Sequence, residues 1–78
     1  MNKKIIDEAN RIVKKIEKLS QNTEFAIGDY MSHELSNEEK FEVLEEFFKL
    51  CKDKKISIIN TQEGMVLGMP WVFIYKKT

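Results

Sequence analysis

Apolar positions first recur along the chain at helical spacing. Ile5, Ile6, Ala9, Ile12, Val13, Ile16 and Leu19 return every three or four residues, which predicts an amphipathic helix over residues 3–20. Ser20, Gln21, Asn22 and Thr23 break the period. Alternation then puts Phe25 and Ile27 on one side of a short extended piece over residues 23–27, and Gly28 punctuates it. Residues 29–35 are expected to form a short helix that turns Tyr30, Met31 and Leu35 inward.

The stretch Ser36-Asn37-Glu38-Glu39 reads as a capping box. The serine side chain can accept from the third helical amide while Glu39 reaches back to the serine amide. A second long helix is therefore predicted from about 37 to 53. At 100° per residue, Phe41, Val43, Leu44, Phe47, Phe48, Leu50 and Cys51 cover about half its circumference. Glu42, Glu45, Glu46, Lys49 and Lys52 fill the opposite arc. A half-apolar helix packs against more than one neighbour, which makes this one central to the core. Further on, Ile56, Ile58 and Ile59 form one β-rich run and residues 71–75 another. Gly64, Gly68 and Pro70 between them punctuate a hairpin loop.

The chain's 78 residues are enough for one domain, residues 1–78, and its 42% apolar content suits a folded protein. Folding at this size buries only about 60% of the unfolded surface, so each core side chain counts. The longest apolar run, 11 residues from Met65 to Tyr75, contains Pro70, whereas a membrane span needs about 20 residues. Asp7 and Glu8 follow Lys3 and Lys4 too closely for a secretory signal. The lone Cys51 cannot form an internal disulfide. A soluble, cytoplasmic protein that makes no membrane contact is the expectation. Lysine outnumbers arginine 12 to 1, the usage of AT-rich coding DNA, which points to a low-GC bacterium or its phage.

The order helix, short strand, short helix, long helix, strand, loop, strand resembles the winged-helix domain, laid out H1–S1–H2–H3–S2–wing–S3. Residues 3–20, 23–27, 28–35 and 36–53 would supply H1, S1, H2 and H3, and residues 55–60 and 71–76 the wing strands. The likeness covers nearly the whole chain and rests on architecture rather than on a diagnostic motif. It implies an α+β fold with a small antiparallel hairpin packed on helices. It also implies DNA binding, with the start of H3 in the major groove and the wing on the backbone. Here H3 opens with Asn37, Glu38, Glu39, Lys40, Phe41 and Glu42, which would face phosphate with carboxylates. The loop over residues 61–70 has no basic residue. Only Arg11 could make the bidentate contact to guanine.

The formal net charge of zero hides three blocks: residues 1–18 carry a net +3, residues 24–46 a net −7, and residues 49–78 a net +4. An acidic helix face of this kind steers a basic partner towards it. A solvated helix surface is the plainer reading, with Glu45 or Glu46 pairing with Lys49. Met65, Val66, Leu67, Met69 and Trp71 are many large apolar groups for a connection. They suit either a partner surface or a loop folded back to complete a small core.

Catalytic chemistry finds no constellation. His33 with Asp29 four residues before it has no assignable nucleophile beside it. Cys51 reads as a buried structural thiol. One cysteine and one histidine do not make a usual zinc site, and no cofactor motif is present.

The leading expectation is a small non-enzymatic binding module that contacts a protein partner through Glu38, Glu42, Glu45 and Glu46 and through Met65, Leu67, Met69 and Trp71. An inhibitor from a phage or other mobile element that mimics DNA is one form of it. The alternative is a DNA-binding regulator using Lys14, Lys15, Lys18, Lys54, Lys55, Lys76 and Lys77. A homodimer formed through the apolar hairpin is a further expectation.

Overall fold

A computed structural model describes residues 2–61 and 74–78. It is an α+β fold of two helices and a three-stranded antiparallel sheet: α1 (Lys3–Glu17), β1 (Glu24–Ala26), a 3-10 turn (Ile27–Tyr30), α2 (Asn37–Asp53), β2 (Ile58–Asn60) and β3 (Ile74–Lys77). The strand order is β1-β3-β2. Glu24 faces Lys76, Phe25 faces Tyr75 and Ala26 faces Ile74 across one ladder. Ile58, Ile59 and Asn60 face Lys77, Lys76 and Tyr75 across the other.

Asn2 starts α1 by accepting from the Lys4 amide at 2.8 Å. The expected run to residue 20 stops at Glu17, where the Lys18 and Leu19 amides turn back to the Lys15 and Ile16 carbonyls at 3.3 and 3.0 Å and the last carbonyls are capped from outside. Lys77 donates its ammonium to the carbonyl oxygens of Ile16, Glu17 and Leu19 at 3.0, 3.0 and 2.8 Å. The α2 bounds agree with the sequence reading. The full capping box is present: Ser36 Oγ accepts from the Glu39 amide at 3.2 Å, and Glu39 Oε1 accepts from the Ser36 amide at 2.9 Å. At the other end Lys55 takes φ 61°, the left-handed conformation usual for glycine. The Lys55 amide then donates to Lys52 and the Ile56 amide to Cys51, at 3.2 and 2.8 Å, closing α2 as a Schellman motif.

One expected element is replaced. The short helix over residues 29–35 does not form; its place is taken by the 3-10 turn and an irregular stretch up to Ser36. The cause lies in α1. Arg11 donates Nε to Glu8 Oε1 at 3.0 Å and Nη2 to Glu8 Oε2 at 2.7 Å, and the same Nη2 donates to the Tyr30 carbonyl. Glu8 Oε2 also accepts from the Ser32 amide at 2.7 Å. Peptide groups that a helix would use internally are thus held by two side chains of α1. Tyr30, Met31 and Leu35 still turn inward, with Met31 and Leu35 buried.

The core joins Ile5, Ala9, Ile12, Val13 and Ile16 of α1 to Val43, Leu44, Phe47 and Cys51 of α2, with Phe25, Ile27 and Tyr75 from the sheet side. The Phe25 and Tyr75 rings are stacked at 6.3 Å. Phe48 meets Tyr75 edge-on at 5.5 Å, which ties α2 to the central strand. Phe41 and Phe48, read as part of the apolar arc of α2, keep 41% and 37% of their surface exposed, and Ile59 of β2 keeps 50%.

Candidate functional site

Two ion pairs show the relative direction of the helices. Lys4 Nζ lies 3.0 Å from Glu39 Oε2 at the start of α1 and α2, and Lys54 Nζ lies 3.3 Å from Glu17 Oε1 at their ends. Like ends meet, so α1 and α2 run the same way. The later lysines of the two basic blocks are thereby gathered at one end of the helix pair, while Lys3 and Lys4 stay at the other. Lys14, Lys15 and Lys18 come from α1, and Lys52, Lys54 and Lys55 from the end of α2. Lys77 is brought there by its bonds to the α1 carbonyls. Glu34, Glu38, Glu39 and Glu42 gather at the opposite end. Each set complements the macrodipole of the helix end that it decorates.

The outer face of α2 carries the proposed acidic residues. Glu38, Glu42 and Glu45 are exposed and Glu46 is half-buried. None of the four makes an ion pair among the described residues, and the expected pairing of Glu45 or Glu46 with Lys49 is not formed. Glu39, one step round the helix, differs. The Ser36 amide and then the Lys4 ammonium hold its carboxyl below the usual carboxylate value.

The lysines of the DNA-binding alternative fall into two groups. Lys14, Lys15, Lys18 and Lys55 are exposed and carry no ion pair among the described residues. Lys54 is committed to Glu17 and Lys77 to the end of α1, while half-buried Lys76 faces Glu24 in the ladder. Arg11, the one candidate for a bidentate base contact, is spent on Glu8 and Tyr30. Its hydrogen bonds hold the Glu8 carboxyl below its usual value against the opposing effect of burial, helped by the Ser32 amide. Sequence reading missed this clamp and the Lys77 cap. The three-residue spacing of Glu8 and Arg11 was a visible helix pair, but nothing local points to Tyr30, Ser32 or the end of α1.

Met65, Leu67, Met69 and Trp71 lie outside the described residues. His33 and Asp29 are exposed. Cys51 is 3% exposed, and burial, with the charge of Glu17 adding to it, pushes its thiol up to about 11. Among the described residues no three His, Cys, Asp or Glu side chains gather as metal ligands, and no helix is long and apolar enough to cross a membrane. No protein-family model matches the chain, and neither a curated protein nor a solved structure is significantly similar to it.

Proposed function

We propose that the chain is a non-enzymatic binding module that docks on a protein through the outer face of α2. The single observation behind this is the contrast among its carboxylates. Glu8, Glu17 and Glu39 are each held by a basic neighbour, whereas Glu38, Glu42 and Glu45 stand exposed without one among the described residues. Such a face repels phosphate and attracts lysine and arginine. A protein that itself binds nucleic acid presents those side chains, so an inhibitor that mimics DNA fits this surface. Met65, Leu67, Met69 and Trp71 would add apolar anchors to the contact. The scaffold is a winged-helix-like one whose second helix is reduced to a single 3-10 turn; the chain order of the other elements supports this.

The test is a comparison of the wild type with the Glu38→Lys, Glu42→Lys, Glu45→Lys triple variant, both immobilised and exposed to host extract. A partner retained by the first and lost by the second, with unchanged circular dichroism, is the expected result. Identical retention by both removes a foreign partner from the α2 face.

A second reading is favoured by the gathering of Lys14, Lys15, Lys18 and Lys55 at one end, where they would meet a phosphate backbone. It predicts saturable binding to a labelled random duplex at about 50 mM salt that falls steeply by about 200 mM, as released counterions require. Fluorescence anisotropy decides it, and no binding at the lower salt eliminates it.

A further inference from the structure

The outer face of α2 is acidic only along its first half. Glu38, Phe41, Glu45, Phe48 and Lys52 follow one another at steps of three, four, three and four, the spacing of a coiled-coil seam, with Glu42 and Lys49 beside it. At 100° per residue all seven fall within an arc of about 120°. All seven are exposed; Phe41 and Phe48 keep 41% and 37% of their surface so. None of the five charged members makes an ion pair among the described residues.

This pattern is complementary to itself when reversed. Glu38 and Lys52 stand seven residues on either side of Glu45; Glu42 and Lys49, like Phe41 and Phe48, stand three or four residues to either side. We infer that the partner of this face is a second copy of the chain, its α2 laid antiparallel across the first on a twofold axis at Glu45. Glu38 then meets Lys52 of the second copy, Glu42 meets Lys49, and Phe41 meets Phe48, and symmetry repeats each contact. A parallel arrangement would set Glu38 on Glu38 and Lys52 on Lys52, so charge selects the antiparallel one. Only Glu45 meets its own kind, at the axis. A helix of this length is about 25 Å long, so the contact falls below the roughly 1,200 Å² of a standard interface and the dimer is weak. It does not involve the hairpin. The inference rests on α2 being the contact face, as proposed above, and makes a second copy, in place of a foreign nucleic-acid-binding protein, its occupant.

The experiment is sedimentation equilibrium of the full chain at low salt, from about 10 µM to about 1 mM, a range suited to small interfaces. Wild type is expected to dimerise reversibly. Glu38→Lys and Lys52→Glu should each weaken association about tenfold, because each change places two like-charged contacts across the axis. The double variant Glu38→Lys/Lys52→Glu restores both contacts with the signs exchanged and should return to within about threefold of wild type. Glu45→Gln should tighten the dimer. Glu42→Lys/Lys49→Glu repeats the exchange in mid-helix, away from the helix ends where reversed charges also act on stability.

A wild type that stays monomeric at about 1 mM, or a double variant as weak as its parents, overturns the inference. Monomers whose captured partner still depends on Glu38, Glu42 and Glu45 would leave the face with a foreign occupant. Monomers whose captured partners are indifferent to those residues would remove both readings.

Discussion

The ammonium of Lys77 sits 2.8 Å from the carbonyl oxygen of Leu19, 58 residues earlier in the chain. It also donates to Ile16 and Glu17, so the cap that ends α1 comes from the central strand of the sheet. The backbone beside it is fixed as well: the Lys77 amide donates to Thr23 at 2.9 Å, and its carbonyl accepts from the Asn22 amide. A lysine that sequence alone offers to a phosphate backbone is an internal fastening.

Lys77→Met keeps the aliphatic stem and removes the donor. The last carbonyls of α1 would return to water and β3 would lose a tie to the helix. A loss of about 2 kcal/mol is expected, the range for hydrogen bonds from a charged group. Urea unfolding with an unchanged slope checks it; an unaltered midpoint would mean that the cap contributes nothing.

Glu8→Gln tests the clamp on the turn before α2. The Glu8 carboxyl is held below its ordinary value of 4.5, first by Arg11 and also by the Ser32 amide. Its contribution is therefore complete above about pH 4.5 and is lost as pH falls through the lower folded value. Wild type should exceed the variant by about 1–2 kcal/mol at neutral pH. The two stabilities should converge on acidification, as thermal unfolding between pH 3 and pH 7 would record. A constant difference would assign the effect to packing.

Lys55→Gly should stabilise the protein. Lys55 holds φ 61° at the end of α2, where a side chain crowds the following carbonyl and glycine does not. A gain of about 1 kcal/mol is expected in denaturant unfolding, after the added freedom of glycine in the unfolded chain is subtracted. A loss would show that the lysine side chain does something there that outweighs its backbone cost.

Cys51 should resist thiol reagents in the native state. It is 3% exposed and its thiol is pushed up to about 11 by burial. Labelling with an aromatic disulfide should be slow in buffer and immediate in denaturant. Equal rates in both would mean that the packing of α2 against α1 is looser than its burial implies.

The elements that could be read from the sequence are those specified by near neighbours. The capping box of Ser36 and Glu39 lies within four residues and marks the start of α2 correctly. The spacing of Ile5, Ala9, Ile12, Val13 and Ile16 gives the buried stripe of α1. The errors arise where distant groups intervene. Residues 29–35 have helical spacing, but Glu8 and Arg11 bind Tyr30 and Ser32 first. The acidic stripe follows from angular arithmetic along α2. That Lys54 and Lys77 are already engaged, while Lys14, Lys15 and Lys18 are not, depends on which helix ends meet and on where β3 lies against α1. Nothing local in the sequence encodes that.

The order β1-β3-β2 also governs how the sheet comes apart. Among the described residues β1 and β2 each have a single strand neighbour, and for both it is β3. No two-stranded remnant survives withdrawal of β3: both ladders open together, Tyr75 leaves Phe25 and Phe48, and the end of α1 is uncapped in the same event. Residues 74–77 thus act as a zip fastener for the sheet, and amide exchange in β1 and β2 should share one opening free energy.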